Sequence, residues 1–182
     1  LPRAPPPMPT IQTQRLTLSE LTAGDAGFIL ELVNEPGFLG GIGDRGVRDL
    51  DSALRYIQDG PAASYARHGY GLWRVELRDS GEPVGICGLL CRDALPDPDL
   101  GYAFLQRHWQ RGYAVEAGAA VLRYARESLA LPRVLAIVNP DNAASIKVLE
   151  RLGMHAQGMI RHGNEPRDLR LFATVAAATE PA

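Results

Sequence analysis

The feature that most constrains the fold of this chain is a strand–helix–strand unit between residues 99 and 138. "DLGYAFLQ" (Asp99–Gln106) has the composition of a strand, and apolar residues at helical spacing follow from about Tyr113 to Leu129. After Pro132, "RVLAIV" (Arg133–Val138) predicts a short buried strand. Two strands joined by a single helix lie parallel in one sheet, and their connection is right-handed.

The segments on either side of this unit predict antiparallel strands. "RLTLSEL" (Arg15–Leu21) alternates polar and apolar residues, and residues 71–93 form a hairpin that turns at Ser80-Gly81. The second arm of the hairpin, "PVGICGLL", is almost wholly apolar, so we expect both of its faces to be covered. Two last strands are predicted on either side of a Gly-Asn-Glu-Pro turn at residues 163–166.

Further helices are marked by start and stop signals. One begins at Thr22 and ends near Pro36-Gly37, one is capped by Asp49 or Asp51 and ends at Gly60-Pro61, and the last is closed by Gly153. A short helix also fits "AASYARHG", whereas "GFLGGIGDRG" is predicted to be a loop without the Lys-Ser/Thr ending of a P-loop. The element order predicts an α/β (α+β) fold, a mixed, mostly antiparallel twisted sheet with helices on both faces.

Composition limits the class of protein. We predict one domain at residues 11–175, a flexible Pro-rich segment at 1–10 and a short tail at 176–182. The net charge of -2 argues against a protein built to bind nucleic acid, and no apolar run approaches the ~20 residues of a membrane span. Cys87 and Cys91, four residues apart on one strand, favour free thiols in the cytoplasm, and with four histidines they show no metal-ligand spacing.

The start of the central helix carries the first sign of function. In "HWQRGYAVEAGAAVLRYA" (His108–Ala125) no Ser, Thr, Asp or Asn stands where a cap residue is expected. Gly112 lets the backbone turn tightly, Ala114 is small, and Arg111 adds positive charge. The free N–H groups of the first turn and the positive end of the helix dipole form a site for an anion such as phosphate. The alternative is a simple tight turn at Gly112.

From "DPDLGYAFLQRHWQRGYAVEA" to "AIVNPDNAASIKVLERLGM", the sequence resembles the GNAT superfamily of N-acetyltransferases. Within it the chain is most similar to the branch of RimJ/RimL-type ribosomal-protein acetyltransferases. The resemblance covers about residues 11–175 and is strongest in two blocks, "WQRGYAxEA" and "NxxSIxVLERLGM". It implies a GNAT-like sheet in which the parallel strands 99–106 and 133–139 splay apart and form the cleft for acetyl-CoA.

The resemblance also implies which residues bind the cofactor. The family's pyrophosphate loop, Gln/Arg-x-x-Gly-x-Gly/Ala, falls on Trp109, Gly112 and Ala114, and Trp109 departs from the first place. Backbone N–H groups of this loop would bind the pyrophosphate, and the strand before it would pair with the pantetheine amides, with Phe104 beside the acetyl group. The implied cofactor-binding residues are Tyr102, Phe104, Leu105, Gln110, Arg111, Gly112, Tyr113, Ala114, Val115, Asn142 and Ser145. Lys147 and Arg151 are either further phosphate ligands or solvated helix charges.

Acetyl transfer to an amine calls for a base that takes a proton from the amine and an acid for the leaving thiolate. Many superfamily members use a Tyr seven residues after the conserved Asn as the acid, but this chain has Leu149 there. Ser145 is the nearest hydroxyl, and Asp99 stands where this branch often places a Glu, so these two are the catalytic candidates. The alternatives are that Asp99 is a carboxylate in solvent, that His108 is the base although it is expected to face outward, and that no protein base is needed.

The prediction is an acetyl-CoA-dependent N-acetyltransferase that acts on a primary amine by direct attack on the thioester. The amine is a protein N-terminal α-amine or belongs to a small molecule, and residues 30–70 with the final hairpin are expected to shape its site. The alternative function is a catalytically weak CoA-binding or regulatory module, which the Leu149 departure leaves open. A dinucleotide or P-loop enzyme is disfavoured because no Walker lysine is present, and the Gly-x-Gly-x-x-Gly of "GIGDRG" (41–46) lies in the predicted loop after a helix rather than between a strand and a helix. A homodimer is the default oligomer.

Overall fold

A computed structural model of the protein describes residues 9–163, 165 and 167–175. The predicted segment 1–10 is therefore described only at residues 9 and 10, and the predicted tail 176–182 lies outside the described residues. The strands are β1 Ile11–Gln12, β2 Leu16–Glu20, β3 Leu72–Leu77, β4 Pro83–Leu90, β5 Asp99–Phe104, β6 Leu135–Val138, β7 His155–Ile160 and β8 Leu169–Ala173. They form one sheet in the order β1-β2-β3-β4-β5-β6-β8-β7.

Six α-helices connect these strands within the part of the chain that the structure describes. They are α1 Ala26–Val33, α2 Pro36–Gly41, α3 Leu50–Ile57, α4 Ala63–His68, α5 Tyr113–Glu127 and α6 Ala143–Arg151. Short 3-10 turns at Ala23–Asp25 and Gln106–His108 precede α1 and α5. The predicted strand–helix–strand unit is thus confirmed as β5–α5–β6, with α5 ending two residues earlier than expected.

Two helix boundaries that were predicted from the positions of prolines are wrong. Pro36 begins α2, because a first-turn position needs no backbone N–H donor, so the predicted glycine-rich loop starts as a helix. Gly60-Pro61 does not stop the second helix, since a π-helical turn at Gln58–Ala62 carries the chain from α3 into α4. The helical segment ends instead at Gly69, whose φ of 76° is in the left-handed region.

The start of α3 follows the expected chemistry. The side chain of Asp49 accepts a hydrogen bond from the backbone N–H of Ser52 at 2.8 Å, and the Ser52 hydroxyl oxygen accepts from the N–H of Asp49 at 3.0 Å. Asp49, and not Asp51, is therefore the cap residue. Satisfying these otherwise free donors fixes the point at which the chain turns into the helix.

The sheet is covered on both faces, as predicted. On one face β4 and β5 pack against α5 and α6 through a cluster that includes Cys87, Val121 and Leu149. On the other face Ile86 and Leu105 pack against α1 and α3. Central strand β4 is buried along its length apart from its end residues, which explains its unbroken apolar sequence.

The boundary between the parallel strands β5 and β6 is mostly unpaired. Strand β5 pairs with β4 over six residues, but the only registered pair between the parallel strands β5 and β6 is Asp99 with Leu135. Beyond that pair the two strands diverge, which confirms the expected splay. A six-residue strand therefore has one edge bonded to β4 and most of the other edge open.

Candidate active site

The diverging strands β5 and β6 form one wall of a cleft of about 1560 Å³. That volume is larger than the ~300–1,000 Å³ that encloses an ordinary small ligand, so the cleft has room for two reactants. Its lining runs from the start of α5, through β5 and β6, to α3, α4 and the β7–β8 turn. The predicted residues that line it are Asp99, Tyr102, Phe104, Gln110, Gly112, Tyr113, Ala114, Val115, Asn142 and Ser145.

The open edge of β5 offers backbone groups at alternate residues. The N–H of Leu105 donates to the Val84 carbonyl of β4 at 2.9 Å, so it points away from the cleft. Because neighbouring residues of a strand direct their backbone groups to opposite edges, the N–H groups of Tyr102 and Phe104 point toward the opening. The backbone N–H of Phe104 therefore faces the cleft, whereas that of Leu105, which was also expected to bind the cofactor, does not. Leu105 is fully buried against α1 and α3.

The start of α5 has the uncapped geometry that the sequence predicts. Gly112 occupies the cap position with φ 80° and ψ 8°, and no side chain caps the helix. Gln110 also has a positive φ of 61°, which a residue with a side chain adopts at some cost. The carbonyl of Gly112 accepts from Glu116, but the first-turn N–H groups of Tyr113, Ala114 and Val115 have no such partner in the helix. These donors sit on the wall of the cleft.

Trp109 connects this loop to its surroundings in a way that the sequence did not predict. Its indole N–H donates to the Phe104 carbonyl at 2.7 Å, which occupies an acceptor on the open edge of β5. A Cβ placed on Gly37 would lie 2.7 Å from the indole ring, so α2 touches the ring through bare backbone. Trp109 thus links the loop before α5 to α2, which lies in the region expected to shape the acceptor site.

The second sequence block forms the start of α6. Asn142 caps this helix, and its side-chain oxygen accepts from the Ser145 N–H at 3.1 Å. The Ser145 hydroxyl lies 2.5 Å from the hydroxyl of Tyr102, so the second block meets strand β5 across the cleft. Burial raises the pKa of Tyr102 to about 12, and its hydroxyl therefore keeps its proton at neutral pH. Leu149 is buried in the core and leaves no hydroxyl at the family's acid position.

Asp99 is buried, with only 1% of its surface exposed. The interpretation of Asp99 as a strand-end carboxylate in solvent is therefore wrong. Arg92 Nε lies 3.2 Å from each of its carboxylate oxygens. Burial raises the pKa of Asp99 to about 6, and the ion pair with Arg92 opposes but does not cancel that rise. A carboxyl that titrates near neutrality is suited to accept a proton.

His108 was expected to face outward, and the structure corrects this. Its ring is 6% exposed, and Nε2 lies 3.2 Å from the Glu82 carboxylate in the turn between β3 and β4. Its Nδ1 atom is buried without a hydrogen-bond partner. His108 also lines the cleft, beside the start of α5. The ring is held to the sheet on one side and lines the cleft near the carboxyl end of β5, far along that strand from Asp99.

Few acidic residues of the 30–70 region, which was expected to shape the acceptor site, line the cleft. Glu35 accepts a hydrogen bond from the Gln106 N–H, Asp44 pairs with Arg48, and Asp49 caps α3. Asp59 does line the cleft, together with cationic side chains. The lining cations are Arg45, Arg67, Arg92, Lys147, Arg151 and Arg167.

Several residues at the site escaped the sequence analysis. Arg15 and Glu116 form an ion pair at 2.7 Å behind the start of α5, and Arg92 holds Asp99. His162, from the β7–β8 turn, lies 3.4 Å from Arg92. Each of these contacts joins segments that are far apart in the chain or lie in a turn without regular pattern. Periodicity and local spacing carry no signal for such pairs.

Two structural absences hold for residues 9–163, 165 and 167–175. No group of three or more His, Cys, Asp or Glu side chains among them is arranged to hold a metal ion. None of their helices has the length and apolar character needed to cross a membrane.

Comparison with known proteins identifies the family. Residues 15–155 match the model of the acetyltransferase (GNAT) domain, so the chain belongs to the GNAT acetyltransferase family. It is accordingly an acyltransferase that uses acetyl-CoA as its co-substrate. The chain is 28% identical to the uncharacterized N-acetyltransferase YoaA of Bacillus subtilis (strain 168), over 92% of this chain and 97% of the relative. It is 38% identical to the uncharacterized protein YkkB of the same organism, but over only 54% of this chain and 59% of YkkB.

Solved structures show the same fold. The acetyltransferase from Agrobacterium tumefaciens str. C58 superposes with a TM-score of 0.79 at 29% identity, covering 96% of this chain and 99% of that one. Mycobacterium smegmatis RimJ in complex with CoA-disulfide superposes with a TM-score of 0.74 at 23% identity, covering 92% and 84%. The predicted GNAT-like fold, with its mixed sheet and splayed parallel pair, is confirmed.

Proposed function

We propose that this protein transfers the acetyl group of acetyl-CoA to a primary amine, either a protein N-terminal α-amine or the amine of a small molecule, by direct attack on the thioester. The sequence resemblance to the RimJ/RimL branch supports a protein N-terminal α-amine as the first candidate class of acceptor. The two free cysteines, Cys87 and Cys91, support a reducing compartment such as the cytoplasm. A homodimer stays a prediction.

The observation that carries the proposal is the uncapped start of α5 at one end of an open strand edge. The donors of the first helical turn, with the helix dipole behind them, fit the pyrophosphate of CoA. The N–H groups of Tyr102 and Phe104 on the adjoining edge fit the pantetheine amides, which would pair with β5 like a neighbouring strand. Lys147 and Arg151 on α6 line the same end and supply positive charge for phosphate.

The direction of the cofactor follows from the direction of β5. Because α5 follows the carboxyl end of that strand, a pantetheine arm that starts at α5 runs back toward Asp99. Strands rise about 3.3 Å per residue, so Asp99 and Phe104 are roughly 16 Å apart. A thioester beside Phe104 would thus be out of reach of Asp99. We place a pantetheine amide beside Phe104 and the thioester nearer to Tyr102, which moves the acetyl group from the position first expected.

At that position the candidate catalytic groups lie on two sides of the thioester. Asp99, whose pKa of about 6 leaves it ionised at pH 7, takes a proton from the attacking amine, directly or through one water. A backbone N–H of the open β5 edge donates to the carbonyl oxygen as negative charge develops there. Ser145, hydrogen-bonded to Tyr102, donates to the departing thiolate in place of the tyrosine that Leu149 replaces.

The test is a thiol-release assay with acetyl-CoA and a panel of amines. Release of CoA that depends on a particular amine, together with the mass increase of that amine that replacing one hydrogen by an acetyl group gives (about 42 daltons), would support the proposal. Mass spectrometry of a cell extract incubated with labelled acetyl-CoA would then identify the acceptor. Binding of acetyl-CoA that raises the thermal stability, without release under any of these conditions, would favour the alternative of a CoA-binding module.

A further inference from the structure

The residue before strand β2 reaches across to the start of α5. Arg15 donates from Nη1 to the carbonyl of Arg111 at 2.9 Å and from Nε to the carboxylate of Glu116 at 2.7 Å. Its own backbone N–H donates to the other oxygen of Glu116 at 2.9 Å. The guanidinium carbon also lies 4.7 Å from the ring centre of Tyr113. One side chain therefore touches the loop before α5 and the first turn of the helix at the same time.

Glu116 makes this arrangement rigid. It accepts a further hydrogen bond from the Thr13 hydroxyl at 2.6 Å. Partial burial alone would raise its pKa, but the hydrogen bonds from Thr13 and Arg15 outweigh burial and lower the pKa of Glu116. The carboxylate is therefore ionised at neutral pH and fixes the guanidinium in place. The pair joins residues 101 positions apart in the sequence.

The contact with the Arg111 carbonyl has a consequence on the opposite side of the same peptide. In a planar trans peptide the C=O and the following N–H point in opposite directions. The Arg111 carbonyl points to Arg15, behind the loop, so the N–H of Gly112 points to the other side. Gly112 lines the cleft and Arg15 does not. Since Gly112 is free to adopt several backbone conformations, the loop itself does not fix this orientation.

We propose that Arg15 is a positioning residue, which holds the Arg111–Gly112 peptide with its N–H directed into the cleft so that it donates to the pyrophosphate of CoA. Without Arg15 the peptide turns over part of the time and presents a carbonyl oxygen, which repels phosphate. The inference rests on the proposed place of the pyrophosphate at the start of α5. It assigns to the residue before β2, which lies outside the cleft, a part in cofactor binding.

The first measurement is calorimetric binding of CoA to the full chain. Arg15→Met keeps the length of the side chain and removes its donors. Because a hydrogen bond to a charged group is at stake, we expect the Kd for CoA to rise by about 10- to 100-fold. The matched control is Arg123→Met, which removes an exposed arginine that pairs with Glu127 at 3.1 Å in the second half of α5, outside the cleft, and should leave the Kd within about twofold.

The second measurement separates positioning from general damage. S-acetyl-pantetheine carries the thioester and the pantetheine amides but no pyrophosphate. We expect kcat/KM with this substrate to be equal in the wild type and Arg15→Met, whereas kcat/KM with acetyl-CoA falls. An equal fall with both substrates would overturn the inference, and so would an unchanged Kd for CoA.

A milder variant guards against loss of folding. Lysine at position 15 pairs with Glu116 but lacks the forked donors needed to reach the Arg111 carbonyl as well. Arg15→Lys should melt near the wild-type temperature and still bind CoA more weakly, and wild-type affinity in this variant would contradict the proposal. If the wild type itself neither binds CoA nor acetylates any amine, the proposed function fails and the role of Arg15 fails with it, whereas normal CoA binding by Arg15→Met overturns the role of Arg15 alone.

Discussion

The two ends of the cleft are built in different ways. At the start of α5 the donors are backbone N–H groups, which Gly112 and the helix geometry put in place, so a short continuous sequence specifies them. At the other end Asp99, Arg92 and His162 come from three separate segments and act through their side chains. The end at the start of α5, where we propose that the cofactor binds (the cofactor end), can therefore be predicted from the sequence. The end at Asp99, where we propose that the acceptor binds (the acceptor end), depends on contacts that form only in the folded chain. We expect the cofactor end to tolerate side-chain substitutions that leave the backbone conformation unchanged. We expect the acceptor end to lose function when its side chains are substituted, even where the backbone is unchanged.

The largest expected effect tests the cofactor end. Gly112→Val places a β-branched residue at φ 80°, and its Cβ would lie 3.3 Å from Arg15 Nη2. The loop must leave its present conformation, so calorimetry should detect no binding of acetyl-CoA while circular dichroism shows most of the fold intact.

The control for this variant separates the site from backbone strain. Gly81, in the turn between β3 and β4, has a φ of 73° and open space around its missing Cβ. Gly81→Val should cost stability of order 1–3 kcal/mol and leave acetyl-CoA affinity near that of the wild type. Normal binding by Gly112→Val would mean that the cofactor end is not where the uncapped helix starts.

The next effect tests the acceptor end through pH. Burial raises the pKa of Asp99 to about 6, so the carboxylate that accepts a proton predominates above that pH and the protonated acid below it. The wild-type kcat should therefore decrease as the pH falls through about 6. Asp99→Asn should lower kcat by about 100-fold or more and remove this limb of the profile.

Asp97→Asn is the matched control, since Asp97 is a nearby carboxylate that pairs with Arg133 outside the cleft. It should retain both the rate and the acidic limb. An Asp99→Asn variant with the wild-type pH profile would assign that limb to another group, with His108 the next to test.

Sequence reasoning reached the fold and the cofactor end because both rest on local signals. Strand β5, helix α5 and the missing cap at Gly112 were each predictable from a few neighbouring residues. The same reasoning put Asp99 in the site by its likeness to a family position, but it gave no means of seeing Arg92, because the chain between residues 91 and 98 has no regular pattern. Arg15 was missed for a related reason, since an arginine at the start of a strand is ordinary and its partner lies 101 residues away.

A smaller effect on kcat is expected from variants of the Tyr102–Ser145 pair, which lies between the two ends. Ser145→Ala removes the hydroxyl that we propose as the acid for the departing thiolate, and kcat should fall by about 10-fold with the KM for acetyl-CoA little changed. Tyr102→Phe removes the hydroxyl 2.5 Å from Ser145 and should have a weaker effect. If Tyr102 acts through Ser145, the double variant should be no slower than Ser145→Ala, and additive losses would show that the two hydroxyls act separately.

The smallest effect compares the uncapped helix with a capped one. Helix α3 begins at Asp49, whose carboxylate accepts from the Ser52 N–H at 2.8 Å, and Asp49 does not line the cleft. Asp49→Ala should lower the free energy of unfolding by about 1 kcal/mol in urea denaturation and leave acetyl-CoA affinity unchanged. Asp51 lies in the first turn of α3 but does not cap it, so Asp51→Ala should lower the free energy of unfolding by less. Asp49 caps α3 by itself, whereas we propose that the free donors of α5 bind the cofactor. Saturating CoA should therefore stabilise the Asp49→Ala variant and the wild type by equal amounts.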